Sequence, residues 1–325
     1  MQNSLGDKFK VTILGSSHGE IVGGEIVGCP KGLAVNIDFI NSELERRKPK
    51  LYGTTRKEED NLVFTSGIDN GQTNGDKLVF FVKNNNVRKQ DYNYFHNWFR
   101  PSHIDYTYFK KFGEDSLTYK DNASARMFLP IVVAGCFAKQ ILLKENISIK
   151  AEVMEVGGIN YLTNQLQAKN LLNIVCAKGD TVSGKIRCRV SGLKAGIGEP
   201  IFKKLSAMLA KNMITIPSCY GFCLGNEDRA SLLGSQDIDR WNTDFSTVTN
   251  NSGGLNGGIT NGGDIVFFVS FHPIHTLRQI VEMINPEGEL KQMRVPGRHD
   301  ACQLFRTEVI VEAMTALTIV EYILN

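Results

Sequence analysis

Four stretches carry the apolar period of core-facing helices, at residues 40–47, 129–143, 199–212 and 307–324, and they stand apart from short glycine-flanked runs of strand character. Those runs are 11–14, 25–27, 62–64 and 78–82 in the first half, and 185–190, 222–224 and 265–271 in the second. Strands grouped with hairpin-like turns and separated by long helices predict an α+β fold in which helices cover antiparallel sheets, not a parallel doubly wound sheet. No low-complexity tract or long linker interrupts the chain, so residues 1–325 read as a single domain.

With 325 residues, 42% of them hydrophobic, the chain has ample material for a large core. A net charge of only +3 excludes a general electrostatic footprint for nucleic acid or a membrane surface. An acidic ligand must then be met by local arginines, and the expected partner is a small molecule. Cys29, Cys136, Cys176, Cys188, Cys219, Cys223 and Cys302 lack the paired short spacing of a zinc site and read as reduced thiols. The start of the chain lacks the basic, apolar and small-residue succession of a signal peptide, and no apolar stretch reads as long enough to span a bilayer. A cytoplasmic protein is expected.

Three segments place a histidine in a turn-forming setting. Gly15-Ser16-Ser17-His18-Gly19 directly follows the strand-like run 11–14, and such a loop brings backbone and one imidazole close to a ligand. Phe99-Arg100-Pro101-Ser102-His103-Ile104-Asp105-Tyr106 and Gly297-Arg298-His299-Asp300 each set a histidine beside an arginine and an acid. Together they point to one shared anionic site.

Other segments supply cations and loops. Arg46 and Lys48, at the end of the helix over 40–47, complement its negative end. Arg47 is the better ligand candidate, because a guanidinium presents a rigid fork to carboxylate or phosphate. Asn122-Ala123-Ser124-Ala125-Arg126 precedes the helix over 129–143. Ser124 reads as its cap, whereas Arg126 opposes the helix dipole unless an anion sits nearby. The Asn250-Asn251-Ser252-Gly253-Gly254 loop suits phosphates or flat heterocycles but fits neither the P-loop nor the dinucleotide spacing. His272 and His275 have no third ligand at metal spacing, so no metal site is expected.

In this order, the segments resemble the chorismate synthase family over essentially the whole chain. The resemblance rests on Gly15-Ser16-Ser17-His18-Gly19, the run from Phe99 to Tyr108, Ser124-Ala125-Arg126, Gly196-Ile197-Gly198-Glu199-Pro200, Asn250-Asn251-Ser252-Gly253-Gly254, Pro273-Ile274-His275-Thr276-Leu277, Gly297-Arg298-His299-Asp300 and Glu312-Ala313-Met314. It implies a β-α-β sandwich with helices between antiparallel sheets, working as a homotetramer. It also implies a flavin enzyme of the shikimate pathway that removes phosphate and a ring proton from 5-enolpyruvylshikimate 3-phosphate to give chorismate, with reduced FMN as cofactor. No nicotinamide-binding fingerprint is present, so the flavin reductant, ultimately NADPH, is expected to be external.

Carried over position by position, the resemblance implies that His18 protonates the departing phosphate and His103 protonates or stabilises the reduced flavin. Asp300 works with a flavin ring nitrogen in accepting the substrate proton. Arg47, Arg126 and Arg298 grip phosphate and carboxylates, with hydrogen bonds from Ser17 and Ser124. Ser124, Ala125, Asn250, Asn251, Ser252, His272, Thr276 and His299 line the flavin. The chain departs from the family pattern at Ser16, Asn122, Ala123 and His272, and in the stretch Leu51-Tyr52-Gly53, with a loss of positive charge. An active, divergent enzyme is the first reading; a non-catalytic paralogue that binds flavin or a phosphate ligand is the second.

Overall fold

The computed structural model describes residues 3–17, 19–49, 52–53, 59–84, 98–113, 123–295 and 299–324. Two five-stranded antiparallel sheets form the outer layers. The first contains β1 (Ser4–Leu5), β2 (Lys10–Gly15), β3 (Ile21–Val27), β4 (Leu62–Ser66) and β5 (Leu78–Lys83), in the order β1-β2-β3-β5-β4. The second contains β6 (Ser148–Val156), β7 (Ile159–Asn160), β8 (Gly184–Ser191), β9 (Cys219–Leu224) and β10 (Ile265–Phe271), in the order β9-β10-β8-β6-β7. A hairpin of β11 (Ile280–Ile284) and β12 (Leu290–Arg294) stands apart from both.

The pleat explains why each sheet has one apolar face. In β10, Ile265, Phe267, Val269 and Phe271 are buried and alternate with less buried residues. Ile186, Cys188 and Val190 do the same in β8, as do Leu78, Phe80 and Val82 in β5. Between the sheets lie α1 (Ile37–Arg47), α3 (Leu129–Lys144), α5 (Leu205–Ile214) and α6 (Leu304–Ile323); α2 (Asp105–Phe112) and α4 (Gln165–Lys178) complete the helices of at least eight residues among the described residues. Helix α3 packs on β3 and α6 on β6, and the two helices pack on each other. A Cβ on Gly135 would lie 2.4 Å from the Ala313 Cβ, so glycine is what lets these helices come together. One continuous hydrophobic core runs from Phe9 to Val320.

The α+β expectation therefore holds, with helices between antiparallel sheets. All seven predicted strands are present. Two expectations need correction, and the strand reading is incomplete. The helix expected over 199–212 is α5, Leu205–Ile214, because Lys204 is not helical (φ −49°, ψ 133°) and the chain turns through 201–204 to dock Leu205 N on the Gly258 carbonyl at 2.9 Å. Strand β6 goes unpredicted, since its Lys150, Glu152 and Glu155 break the apolar run while Ala151, Val153 and Val156 face inward. Finally, one stretch, Ala125–Lys144, is long and apolar enough to cross a membrane by length and composition. Some 72% of its window is buried inside the protein, as expected for a central core helix. All seven cysteines are unpaired. Burial pushes the Cys29 and Cys188 thiols up to about 12.

Candidate active site

Strand β2 runs into β3 through a turn that needs Gly15. Its φ is +78°, and a Cβ there would meet the Ile21 carbonyl oxygen at 2.1 Å. Gly19 N donates to the Ser16 carbonyl at 3.1 Å and Ser16 N to the Ile21 carbonyl at 3.3 Å. Ser17 is buried in this turn. His18, which follows it, lies outside the described residues. Asn84, one residue beyond β5, reaches across: its Nδ2 stands 3.2, 3.4 and 3.0 Å from the carbonyl oxygens of Ser16, Ser17 and Gly19. Its Oδ1 accepts from Arg126 Nε and Nη2, both at 3.3 Å.

Arg126 belongs to the short 3-10 turn Ala125–Phe128 that leads into α3, and Ser124 is its cap, accepting from Arg126 N at 3.3 Å. Arg47 ends α1, on the same buried face as Ile40, Glu43 and Leu44. The two guanidiniums meet on Asp60: Arg47 Nη2 lies 2.7 Å from Oδ2 and Arg126 Nη1 2.6 Å from Oδ1. All three side chains are almost fully buried, at 2%, 4% and 1% exposure for Arg47, Arg126 and Asp60. A shared carboxylate is what allows two like charges to be buried so close together. Asp60 is thus the anion that Arg126 needs at a helix entrance. Arg298, the third predicted arginine, lies outside the described residues.

Arg46 stands in the last turn of α1, where it was expected to complement the helix end, but it does more than that. Its fork grips Glu312 of α6 at 2.7 and 2.9 Å and Glu43 at 2.7 Å, and Lys139 of α3 bridges the same two carboxylates. Burial would raise the Glu312 carboxyl, but the Arg46 hydrogen bond and the nearby Lys139 and Arg46 charges hold it below its ordinary value. Arg46 and Lys139 together therefore lock α1 to α6 and α3, which fixes where neighbouring Arg47 emerges. Lys48 pairs with exposed Glu45, one helical turn earlier.

A second group forms ahead of α2. Asp105 is fully buried and accepts Arg100 Nε at 2.7 Å, Arg100 Nη2 at 3.0 Å and Arg100 N at 3.1 Å. His103 Nδ1 lies 3.2 Å from Asp105 Oδ1 and 3.0 Å from Arg100 Nη2, which ties that ring nitrogen to this cluster. Burial alone would raise the Asp105 carboxyl; hydrogen bonds from His103 and Arg100, with the Arg100 charge, hold it well below the usual carboxylate range. Arg100 Nη1 also donates to Thr276 Oγ1 at 3.0 Å. His275 Nδ1 pairs with the Ser102 carbonyl at 2.7 Å, and the His272 ring stacks on His275 with centroids 4.3 Å apart.

Thr276 joins this group to a third. It lines a small surface recess together with Thr181, Arg278, His299 and Asp300. Asp300 is buried and receives a short hydrogen bond from Arg306 at the start of α6. The following residue, Ala301, donates its N–H to the Tyr52 carbonyl at 2.9 Å. The predicted loop residues form a fourth group. Asn250 holds the Asp264 carbonyl and the Gly254 N–H, at 2.8 and 2.7 Å. Asp239 accepts from Asn251 N at 2.7 Å, Ser252 N at 2.9 Å and Thr249 Oγ1 at 2.6 Å. Asp60, Asn84, Asp239 and Arg306 hold predicted site residues in place yet were not themselves predicted. Among the described residues, no group of three or more His, Cys, Asp or Glu could hold a metal ion.

The sequence model of the family described as chorismate synthase matches residues 9–324. The chain belongs to the chorismate synthase family. The chorismate synthase of Christiangramia forsetii is 38% identical, over 99% of this chain and 98% of its own length. That of Azobacteroides pseudotrichonymphae is 39% identical over 99% of both chains. A crystal structure of chorismate synthase superposes with a TM-score of 0.76 at 22% identity, covering 98% of this chain and 92% of its own, and shows the shared fold. Membership makes the chain an enzyme, a lyase of aromatic biosynthesis in the shikimate pathway. Of the departures from the chorismate synthase pattern, Ser16 keeps its carbonyl on Asn84 and His272 stacks on His275. Asn122 lies outside the described residues.

Proposed function

We propose that this chain is an active chorismate synthase, eliminating phosphate and a ring proton from 5-enolpyruvylshikimate 3-phosphate with reduced FMN. The observation that carries the reading is the convergence of Arg47 and Arg126 on Asp60, tied through Asn84 to the turn that holds Ser17. Two forked cations held at fixed spacing suit a substrate that bears phosphate and carboxylates. Arg298 joins them. Ser17 and Ser124 add hydroxyl donors, and His18 protonates the departing phosphate.

The residues present fit a flavin. The groups around Thr276 offer a hydroxyl, the Arg278 guanidinium and the Asp300 carboxylate, donors and acceptors whose chemistry suits the polar edge of such a ring. Ser124, Ala125, Asn250, Asn251, Ser252, His272 and His299 would hold it with Thr276. When bound, reduced FMN supplies the electron density that helps expel phosphate. His103, oriented by Asp105 and Arg100, holds a proton at Nε2 for the reduced cofactor. Asp300, placed by Arg306, receives the ring proton of the substrate. The protein's part is placement, charge and exclusion of water.

The chain works in the cytoplasm and takes its reducing equivalents from a separate flavin reductant. Leu233, Ile238, Trp241, Phe245 and Val248 are exposed along one segment, Phe245 at 80%, which supports their burial in a homotetramer. The test of the site is His103→Ala. Phosphate release under anaerobic conditions with reduced FMN should fall about 100-fold to 10,000-fold, as for loss of a general acid. Release within about threefold of wild type would remove His103 from the mechanism.

A further inference from the structure

Asn84 stands where β5 ends, outside the groups that bind or react in the reading above. Both ends of its side chain are engaged. The amide nitrogen faces three carbonyl oxygens of one turn, those of Ser16 at 3.2 Å, Ser17 at 3.4 Å and Gly19 at 3.0 Å. The amide oxygen takes two donors of Arg126, at 3.3 Å each. Its backbone N–H donates to the Glu20 carbonyl at 2.9 Å, so the Cα is also fixed against that turn. A carboxamide can serve both sides at once, because carboxylates lack the donors, while lysine and arginine lack the acceptor.

We propose that Asn84 is a positioning residue for the reaction, holding the turn that carries Ser17, the sequence neighbour of His18, in register with the Arg126 guanidinium, so that proton donor and anion receptor can address one leaving phosphate. The inference rests on the reading that His18 protonates that phosphate and Arg126 binds it. The two attachments are unequal. Arg126 keeps its 2.6 Å contact with Asp60 when Asn84 is lost, whereas the carbonyls of the turn lose the amide donor that gathers them. The damage should therefore appear in turnover more than in binding.

Asn84→Leu removes both ends at similar volume, and Asn84→Asp keeps an acceptor for Arg126 while removing the donors. In both variants kcat should fall about tenfold to a hundredfold, as expected for a misplaced reacting group. In Asn84→Leu, calorimetric affinity for 5-enolpyruvylshikimate 3-phosphate, measured without flavin, should stay within about threefold. Hydrogen exchange at the Gly19 amide should rise by about tenfold or more in both, with exchange across β3 unchanged, which separates a loosened turn from a damaged sheet. Wild-type kcat in Asn84→Asp would overturn the proposal. So would a loss in Asn84→Leu that lies wholly in affinity, or wild-type Gly19 exchange in both variants. Failure of the underlying reading looks different: wild-type protein would then give no turnover, and Gly19 exchange would still decide whether Asn84 holds the turn.

Discussion

Asp105 shows how one residue can couple stability to the site. It is wholly buried, and its charge is held by Arg100 and His103. Asp105→Asn should cost about 3–5 kcal/mol at neutral pH, because it removes the buried negative charge that faces the Arg100 guanidinium. The native carboxyl lies below its unfolded value, so its contribution is present in full above the ordinary aspartate pKa of ~3.9 and is lost as pH falls below it. Urea unfolding from pH 7 down to pH 3 checks this: the gap between wild type and variant should narrow on the acid side, and an unchanged gap would contradict the assignment. Arg100, His103 and Asp105 were legible because they sit within six consecutive positions with turn-forming neighbours. Asp60 was not. It meets Arg47 across 13 positions and Arg126 across 66, and a lone acid at such separations leaves no local pattern. Asn84 escaped for the same reason, since its partners lie 42 to 68 positions away.

At the scale of elements, the crossing of α3 and α6 is the contact on which both halves depend. Gly135→Ala should destabilise the protein by about 1–3 kcal/mol through overpacking against Ala313, despite the better helix propensity of alanine. Adding Ala313→Gly should recover part of the loss in chemical unfolding; full stability in Gly135→Ala alone would show that the helices can part at no cost. The strands of 265–271 and 78–82 were legible because they are almost wholly apolar, as befits central or inward-facing strands. Strand β6 shows the limit, since its outward Glu152 pairs with Arg187 on β8, a partner visible only once the sheet is formed. Likewise the start of α5 is set by the Gly258 loop and not by its own sequence.

For the molecule as a whole, the sandwich brings segments from both halves to the same group of sites: Thr276 and Asp300 come from the second half, and Arg100 and Tyr52 from the first. The order of the motifs was legible, while which side chains meet was not, because that depends on how two sheets close over four helices. The exposed run from Leu233 to Val248 belongs to this scale as well. If the proposed homotetramer buries this run, Phe245→Asp should lower the solution mass by sedimentation toward smaller species, and an unchanged mass would move the interface elsewhere. The central claim is that this divergent site still performs the family's elimination. It is tested most directly by incubating the purified protein anaerobically with 5-enolpyruvylshikimate 3-phosphate and dithionite-reduced FMN, and following chorismate and phosphate together. An active enzyme forms both in equal amounts, and formation stops when the flavin is oxidised. Bound FMN with neither product at any substrate concentration would contradict it and leave a binding paralogue in its place.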